Sequence, residues 1–165
     1  MVIKETLGND EAKAAQGVLN EVLSVHKDYP QAEVITDVFP KGDLITNNNF
    51  SGNAWLNMLI TDIEKFDLTA GQVVFEPRAR TNWHSHPGGQ ILLCTKGIGY
   101  YQEKGKPIQL IRAGDVVEIL SDVVHWHGAS HESEFTHIAI STQQSKGSVV
   151  WMEPVTDDEF NSYRE

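Results

Sequence analysis

The stretch His84-Ser85-His86-Pro87-Gly88-Gly89-Gln90, together with the later His125-Trp126-His127, decides how this chain of 165 residues is interpreted. Seven histidines occur in the chain, and six of them lie between His84 and His137. Imidazole is the commonest metal ligand among protein side chains near neutral pH. Because alternate side chains of a strand point to the same face, each His-x-His pair can present both rings to one interior. Two such strands side by side would bring three imidazoles and the Gln90 carbonyl to one point, which predicts a metal site.

The composition is that of an acidic globular protein. Hydrophobic residues make up 40% of the chain, charged residues make up 22%, and the net charge is −10. A chain of this length fits one domain, or one domain with an appendage. Contacts with phosphates or anionic lipids need a basic face, and the Lys and Arg residues are scattered. We therefore expect a small-molecule substrate, and neither a nucleic-acid partner nor a membrane.

Cys94 is the only cysteine, so the chain can form neither an intramolecular disulfide nor a thiolate-rich zinc site. It lies in the apolar run at residues 91–94 and is interpreted as a small buried hydrophobic side chain. The sequence contains no apolar run of about 18 residues, and residues 1–25 lack a signal-peptide core. We therefore expect a cytoplasmic protein.

The chain divides into an N-terminal extension at residues 1–50, a barrel at residues 51–155 and a tail at residues 156–165. Within the extension, apolar residues at spacings of three and four predict a helix from Asn9 to about Ser24. Residues 28–50 are interpreted as loops around a short strand at 33–39. In the tail, Thr156 and Glu159 fit a capping box, which predicts one short helical turn.

The barrel region consists of short apolar segments that are separated by turn signals. Many short strands at this spacing are typical of an antiparallel sandwich or barrel, so the fold class is all-β. The predicted strands are 55–62, 71–76, 81–86, 90–96, 98–102, 108–111, 116–119, 125–129, 135–141 and 149–153.

Two motifs in this region make the chain resemble the cupin superfamily. The first cupin motif has a His-x-His pair, then an acidic residue and then a glycine, which correspond to His84, His86, Gln90 and Gly97. The second motif begins with Gly114-Asp115 and ends at the ligand His125. The resemblance covers about residues 55–153. It implies a double-stranded β-helix, or jelly-roll barrel, with one divalent metal held by His84, His86, Gln90 and His125.

Three stretches, at residues 80–87, 125–129 and 150–153, look like those of small bacterial single-domain cupins. That set includes the manganese-dependent cupin hydroxynitrile lyases, which also carry glutamine at the usual acidic position. The resemblance implies a metal-dependent lyase that cleaves a C–C bond, as in cyanohydrin breakdown, and a homodimer or homotetramer. The alternatives are a metal-dependent dioxygenase and a non-catalytic small-molecule-binding cupin. The chain departs from the second motif at residues 120–124, where the usual proline and glycine are missing.

Gln90 in place of a carboxylate has a chemical consequence. Three neutral imidazoles and a neutral amide leave the full charge of a divalent ion uncompensated, which makes the ion a stronger Lewis acid and lowers its affinity. Mixed nitrogen and oxygen donors fit manganese, iron, nickel, cobalt or zinc, and the resemblance favours manganese.

His137 and His127 are the candidate catalytic residues. In the hydroxynitrile lyase relatives, a histidine on the strand that corresponds to 135–141 lines the active site. A neutral imidazole near the metal suits a general base; the alternative for His137 is a core histidine, and for His127 a structural role behind the ligands. Trp83 and Trp126 should face out of the barrel, against a second sheet or a partner subunit, with ligand stacking as the alternative. His131 is expected on an exposed loop.

Overall fold

Antiparallel strands make up most of the part of the chain that the structure, a computed structural model, describes, which is residues 37–164. The expected helix at residues 9–24 and most of the expected strand at 33–39 lie outside this range. Residues 37–39 form no strand. The strands are β1 (Asp43–Leu44), β2 (Phe50–Ser51), β3 (Ala54–Ile60), β4 (Leu68–Phe75), β5 (Arg80–Thr81), β6 (His84–Ser85), β7 (Gln90–Glu103), β8 (Gln109–Arg112), β9 (Val116–Ile119), β10 (His125–Ala129), β11 (Phe135–Thr142) and β12 (Val150–Trp151).

The strands form one curled antiparallel sheet with the neighbour order β1-β3-β4-β11-β7-β10-β5-β2. β8 and β9 pair with β7, while β6 pairs with both β10 and β12. The prediction of an all-β cupin-type fold is therefore confirmed. Because β1 pairs with β3 and β2 pairs with β5, the sheet begins upstream of residue 51. Two single-turn helices, α1 (Ile63–Phe66) and α2 (Asp157–Phe160), and a 3-10 turn at Gln144–Lys146 complete the described elements.

The strand β7 serves both halves of the sheet. Its first part pairs with β9 and β11, and its second part pairs with β8 and β10. The prediction of two separate strands at 90–96 and 98–102 is wrong, because Gly97 bends the strand without ending it. Gly97 has a φ of 74°, which glycine adopts without steric cost. Thr136 lies opposite Lys96 and His137 opposite Cys94, so Thr95 is the extra residue of a β-bulge.

The prediction of one continuous strand at 81–86 is also wrong. This segment forms two short strands, β5 and β6, that are interrupted at Asn82 and Trp83. The backbone N–H of Asn82 donates to the carbonyl of Asn49 at 2.8 Å, and that of Trp83 donates to the carbonyl of Glu153 at 3.0 Å. The interruption therefore ties the first histidine motif to two other segments of the chain.

Apolar side chains form two separate cores. The inner core lies on the concave face of the sheet and includes Phe75, Leu92, Cys94, Tyr101 and Phe135. Cys94 is thus buried, as predicted. The outer core contains Trp83, Tyr100, Ile108, Trp126, Val155 and Phe160.

Trp83 and Trp126 face away from the inner core, as expected, but their covering was predicted wrongly. They are 1% and 0% exposed, and they pack with Val155 and Phe160 from the C-terminal segment of the same chain. No partner subunit is needed to bury these two rings. The homodimer or homotetramer therefore stays a prediction, and the two tryptophan rings do not support it.

The C-terminal segment is fixed to the barrel by hydrogen bonds. Thr156 and Glu159 form the predicted capping box at the start of α2. The Arg80 guanidinium donates to the Val155 carbonyl at 2.9 Å and to an Asp157 carboxylate oxygen at 2.8 Å, and it lies over the Phe160 ring at 4.6 Å. In the described part of the chain, no helix has the length and apolar character to cross a membrane.

Candidate metal centre

His84 and His125 lie directly opposite each other on β6 and β10, with ring centroids 4.2 Å apart. His84 Nδ1 lies 3.0 Å from the carbonyl oxygen of Asn82, and His125 Nδ1 lies 2.9 Å from that of Val123. A carbonyl oxygen only accepts, so both Nδ1 atoms carry the proton and donate it. Both Nε2 atoms therefore present a free lone pair, which is the form that binds a metal ion.

Gln90 lies at the start of β7 and directs its side-chain carbonyl towards this pair. Its Oε1 atom is 3.2 Å from His125 Nε2, and its amide nitrogen donates to Ser141 Oγ at 3.5 Å. Because His125 Nε2 carries no proton, the 3.2 Å contact joins two acceptors and is repulsive by itself. A cation between them removes the repulsion, and adjacent ligands of a metal ion lie about 3 Å apart. The His125–Gln90 pair therefore fits a bound metal ion.

His86 approaches the same point from the turn that follows β6. Its ring centroid is 5.2 Å from that of His84 and 5.8 Å from that of His125. The Nε2 atom of His86 is buried and has no hydrogen-bond partner. An unpaired buried nitrogen is costly, and a metal ion would satisfy it. The four predicted ligands are therefore neighbours, and His86 is the histidine whose ring lies farthest from the other two.

The structure also brings a fourth histidine, His127, to this point, and the metal-binding group that it forms with His84 and His125 does not include His86. Ligand-capable nitrogens of His84, His125 and His127 lie within 4.8 Å of one another. The Nε2 atom of His127 is buried without a partner, like that of His86. His127, expected either behind the ligands or in catalysis, thus reaches the same space as His84 and His125.

His127 and His137 form a hydrogen-bonded pair, with His127 Nδ1 3.1 Å from His137 Nε2. One proton is shared in this contact, so the tautomers of the two rings are coupled. If His127 Nδ1 donates, His127 Nε2 is a free base that faces the cluster. His137 is 0% exposed and packs against the rings of Phe75 and Phe135, and its Nδ1 atom has no partner.

Burial lowers the pKa of all five imidazoles below the ordinary histidine value of 6.5. The pKa values of His86 and His125 fall to about 4, and that of His137 falls to about 3. Burial also holds the pKa of His84 and of His127 well below the ordinary value, and neighbouring imidazoles lower both further. The five rings are therefore neutral near pH 7 and have lone pairs for a cation or a proton. No carboxylate is among the buried side chains of residues 37–164.

Several residues around the cluster were not singled out from the sequence. Tyr101 lies opposite His127, and Glu103 lies opposite His125, on the neighbouring strand β7. Their spacing of two residues matches that of His125 and His127, but only the strand register shows that they are opposite. Trp151 lies opposite His84 with ring centroids 4.8 Å apart.

His131 lies on the loop between β10 and β11, as expected, but its side chain is half-buried and not fully exposed. Its Nδ1 atom is 3.0 Å from the Tyr100 hydroxyl, and its Nε2 atom donates to Asn161 Oδ1 at 2.9 Å. The ring lies 4.6 Å from that of Phe160. His131 therefore helps to hold the C-terminal segment and lies apart from the histidine cluster.

Comparisons with known proteins agree with this geometry. The profile of the family described as "Cupin domain" matches residues 71–141. An (R)-mandelonitrile lyase from Granulicella tundricola is 39% identical over 111 residues, which cover 67% of this chain and 85% of the lyase. The crystal structure of a cupin-like protein from Thermotoga maritima is 50% identical, with a TM-score of 0.75, and the match covers 77% of this chain and 97% of that chain.

A more distant structure supports the fold alone. A Cupin 2 conserved barrel domain protein from Salinispora arenicola is 18% identical, with a TM-score of 0.52 over 67% of this chain and 92% of that chain. The sheet, the two histidine motifs and the similarity to the lyase over most of its length lead to one conclusion. The chain belongs to the cupin superfamily and resembles the hydroxynitrile lyases within it.

Proposed function

We propose that the protein is a metal-dependent lyase that cleaves a cyanohydrin to an aldehyde and hydrogen cyanide. The proposal rests on one observation above all: the metal-ligand candidates His84 and His125 form one buried cluster with His127, whose imidazole is hydrogen-bonded to that of His137. A relative named (R)-mandelonitrile lyase, 39% identical over 85% of its length, supports the reaction type.

The residues that would hold the metal ion are His84, His86, Gln90 and His125. Three imidazoles and one amide oxygen suit a divalent transition metal, and we propose manganese. When bound, such an ion supplies Lewis acidity towards a hydroxyl or carbonyl oxygen of the substrate. Since all four ligands are neutral, that acidity is not reduced by a ligand carboxylate.

The His127–His137 pair would move the proton. In cyanohydrin cleavage the hydroxyl proton leaves, the C–C bond to the nitrile breaks and its electron pair departs with cyanide. The free Nε2 atom of His127 can take the hydroxyl proton, while His137 accepts from His127 Nδ1 and fixes the tautomer. Burial makes the charged imidazolium unfavourable, so the ring readily returns the proton to cyanide. Hydrogen cyanide then leaves and the neutral pair is restored.

The test is cyanide release from racemic mandelonitrile by protein that has been stripped with a chelator and reloaded with Mn²⁺. The loaded protein should release cyanide and benzaldehyde above the buffer rate, and the stripped protein should not. Chiral chromatography of the remaining substrate adds a second readout, because an enzyme consumes one enantiomer faster. Protein loaded in turn with Mn²⁺, Fe²⁺ and Zn²⁺ that gives only the buffer rate would refute the lyase proposal.

The same experiment separates the two alternative functions. A dioxygenase needs dioxygen, whereas cyanohydrin cleavage consumes none, so full activity under argon excludes an oxygenase as the source of the signal. A non-catalytic binding cupin would bind an unreactive cyanohydrin analogue without turnover. Calorimetry with that analogue therefore distinguishes a binding protein from one that does not recognise the ligand.

A further inference from the structure

The proposed metal centre has no negative charge among its ligands. Metal sites built from His and one carboxylate neutralise part of the charge of the ion, whereas Gln90 leaves it unchanged. Among the buried side chains of residues 37–164, the only formally charged one is Arg80, which binds Asp157 of the C-terminal segment. A counter-charge in the described chain must therefore lie at the edge of the barrel interior.

Glu103 occupies such a position. It is the last residue of β7 and lies directly opposite His125 in the antiparallel register. Directly opposed residues of an antiparallel pair share one face of the sheet, with Cβ atoms about 5 Å apart. Tyr101, two residues earlier on β7, belongs to the inner core, and its ring centroid is 5.9 Å from that of His125. Glu103 therefore shares the inner face with the metal-ligand candidate His125.

Glu103 is ionised and has one cationic partner. Its carboxylate lies 2.6 Å from Lys106 Nζ across a turn, and the Glu103 side chain is 25% exposed. Lys106 favours the charged carboxylate and holds its pKa below the usual value. Burial raises the pKa of the Tyr101 phenol, and the neighbouring Glu103 charge raises it further.

We infer that Glu103 supplies the counter-charge of the metal centre that Gln90 does not provide, and that Lys106 attenuates this charge. The inference rests on the proposed metal site and extends it beyond the atoms that touch the ion. Glu103 acts through the electric field and is not a ligand. Such an arrangement retains a divalent cation without placing an anion directly on it, so the Lewis acidity of the ion is kept.

The test is the affinity of the stripped, full-length protein for Mn²⁺, measured from the free-ion signal in electron paramagnetic resonance. Glu103→Gln keeps the shape and removes the charge, and it should weaken Mn²⁺ binding by about tenfold at low ionic strength. Lys106→Gln removes the attenuating charge and should tighten binding by a few-fold. Glu118→Gln, on an exposed residue of β9, makes the same change in net charge as Glu103→Gln and should leave the affinity within twofold.

Glu103→Gln and Lys106→Gln should change the Mn²⁺ affinity in opposite directions, and this distinguishes an electrostatic effect from a structural one. If the Glu103–Lys106 ion pair only holds the turn, both substitutions weaken binding or neither does, and the inference is overturned. The Glu103→Gln effect should also shrink as salt is raised, since exposed charges are screened within about 10 Å at 0.1 M. Wild-type protein that binds no Mn²⁺ would refute the metal centre itself. Normal wild-type binding with unchanged affinity in Glu103→Gln would refute only the counter-charge.

Discussion

His125 Nε2 and Gln90 Oε1 lie 3.2 Å apart, although neither atom has a proton to share. The Val123 carbonyl fixes the proton of His125 on Nδ1, and Ser141 Oγ accepts from the Gln90 amide nitrogen. Two lone pairs therefore face each other in a buried space, and the arrangement favours a cation between them.

Replacing Gln90 by glutamate should tighten metal binding and slow turnover. A carboxylate attracts the ion and removes one unit of its positive charge, so the metal activates a substrate oxygen less. We expect Gln90→Glu to bind Mn²⁺ at least about tenfold more tightly and to release cyanide at least about tenfold more slowly. Gln109→Glu, on an exposed residue of β8, makes the same change in net charge and serves as the control. Faster turnover together with weaker binding in Gln90→Glu would contradict the assigned role.

Replacing His137 by phenylalanine should abolish most of the activity and keep the metal. The ring packs against Phe75 and Phe135, so an apolar ring of similar size suits its surroundings. Loss of the partner of His127 removes the control of its tautomer, and general acid–base catalysis contributes about 10²- to 10⁴-fold. We expect kcat to fall by about 10²-fold while the metal content measured by elemental analysis stays that of the wild type. A variant that keeps full kcat would exclude His137 from the proton path.

The metal-free protein should lose stability as the pH falls below about 6.5. The buried histidines have folded-state pKa values near 4 and 3, so between pH 6.5 and those values the unfolded chain binds more protons than the folded chain. The free energy of unfolding therefore has its full value above pH 6.5 and falls as acid is added. Each such histidine contributes a slope of up to about 1.4 kcal/mol per pH unit.

Urea unfolding of the stripped protein between pH 7.5 and pH 5 measures this slope while the carboxylates remain ionised. His137→Phe removes one of the buried imidazoles and should make the slope shallower. A free energy of unfolding that does not change across this range would show that the cluster is already protonated or open to water.

Phe160 should be the residue through which the C-terminal segment stabilises the barrel. It is 0% exposed, and it contacts Trp126 and the Arg80 guanidinium. Phe160→Ala should lower the free energy of unfolding by about 3–5 kcal/mol, the usual cost of truncating a buried phenylalanine. Phe66→Ala is the matched control, because Phe66 is 53% exposed and should cost less than about 1 kcal/mol. Equal losses in the two variants would argue against the outer core.

Strand periodicity was sufficient to place His84 and His125 in the sheet and to predict that they face one interior. The strands 116–119 and 125–129 were also predicted with their observed bounds. The cupin resemblance supplied the order of the motifs along the chain, and the sheet confirms the fold class.

Features that depend on strand register could not be predicted. His137 follows the bulge at Thr95, which shifts β11 by one residue against β7 and cannot be seen in the sequence. Gly97 was interpreted as the end of a strand, because a glycine with positive φ usually marks a turn and nothing local shows that the strand continues. Glu103 and Tyr101 are ordinary strand residues until the pairing of β7 with β10 is known. The burial of Trp83 likewise could not be predicted, because it depends on where the C-terminal segment packs against the barrel.

The most direct measurement is anomalous diffraction at the manganese absorption edge from crystals of the Mn²⁺-loaded protein. We expect one anomalous peak per chain, within bonding distance of His84, His86 and His125 Nε2 and of Gln90 Oε1, with His127 and His137 unbound beside it. The absence of a peak would contradict a metal centre. A peak bound by His127 in place of His86 and Gln90 would contradict the ligand set and the role of the histidine pair in proton transfer.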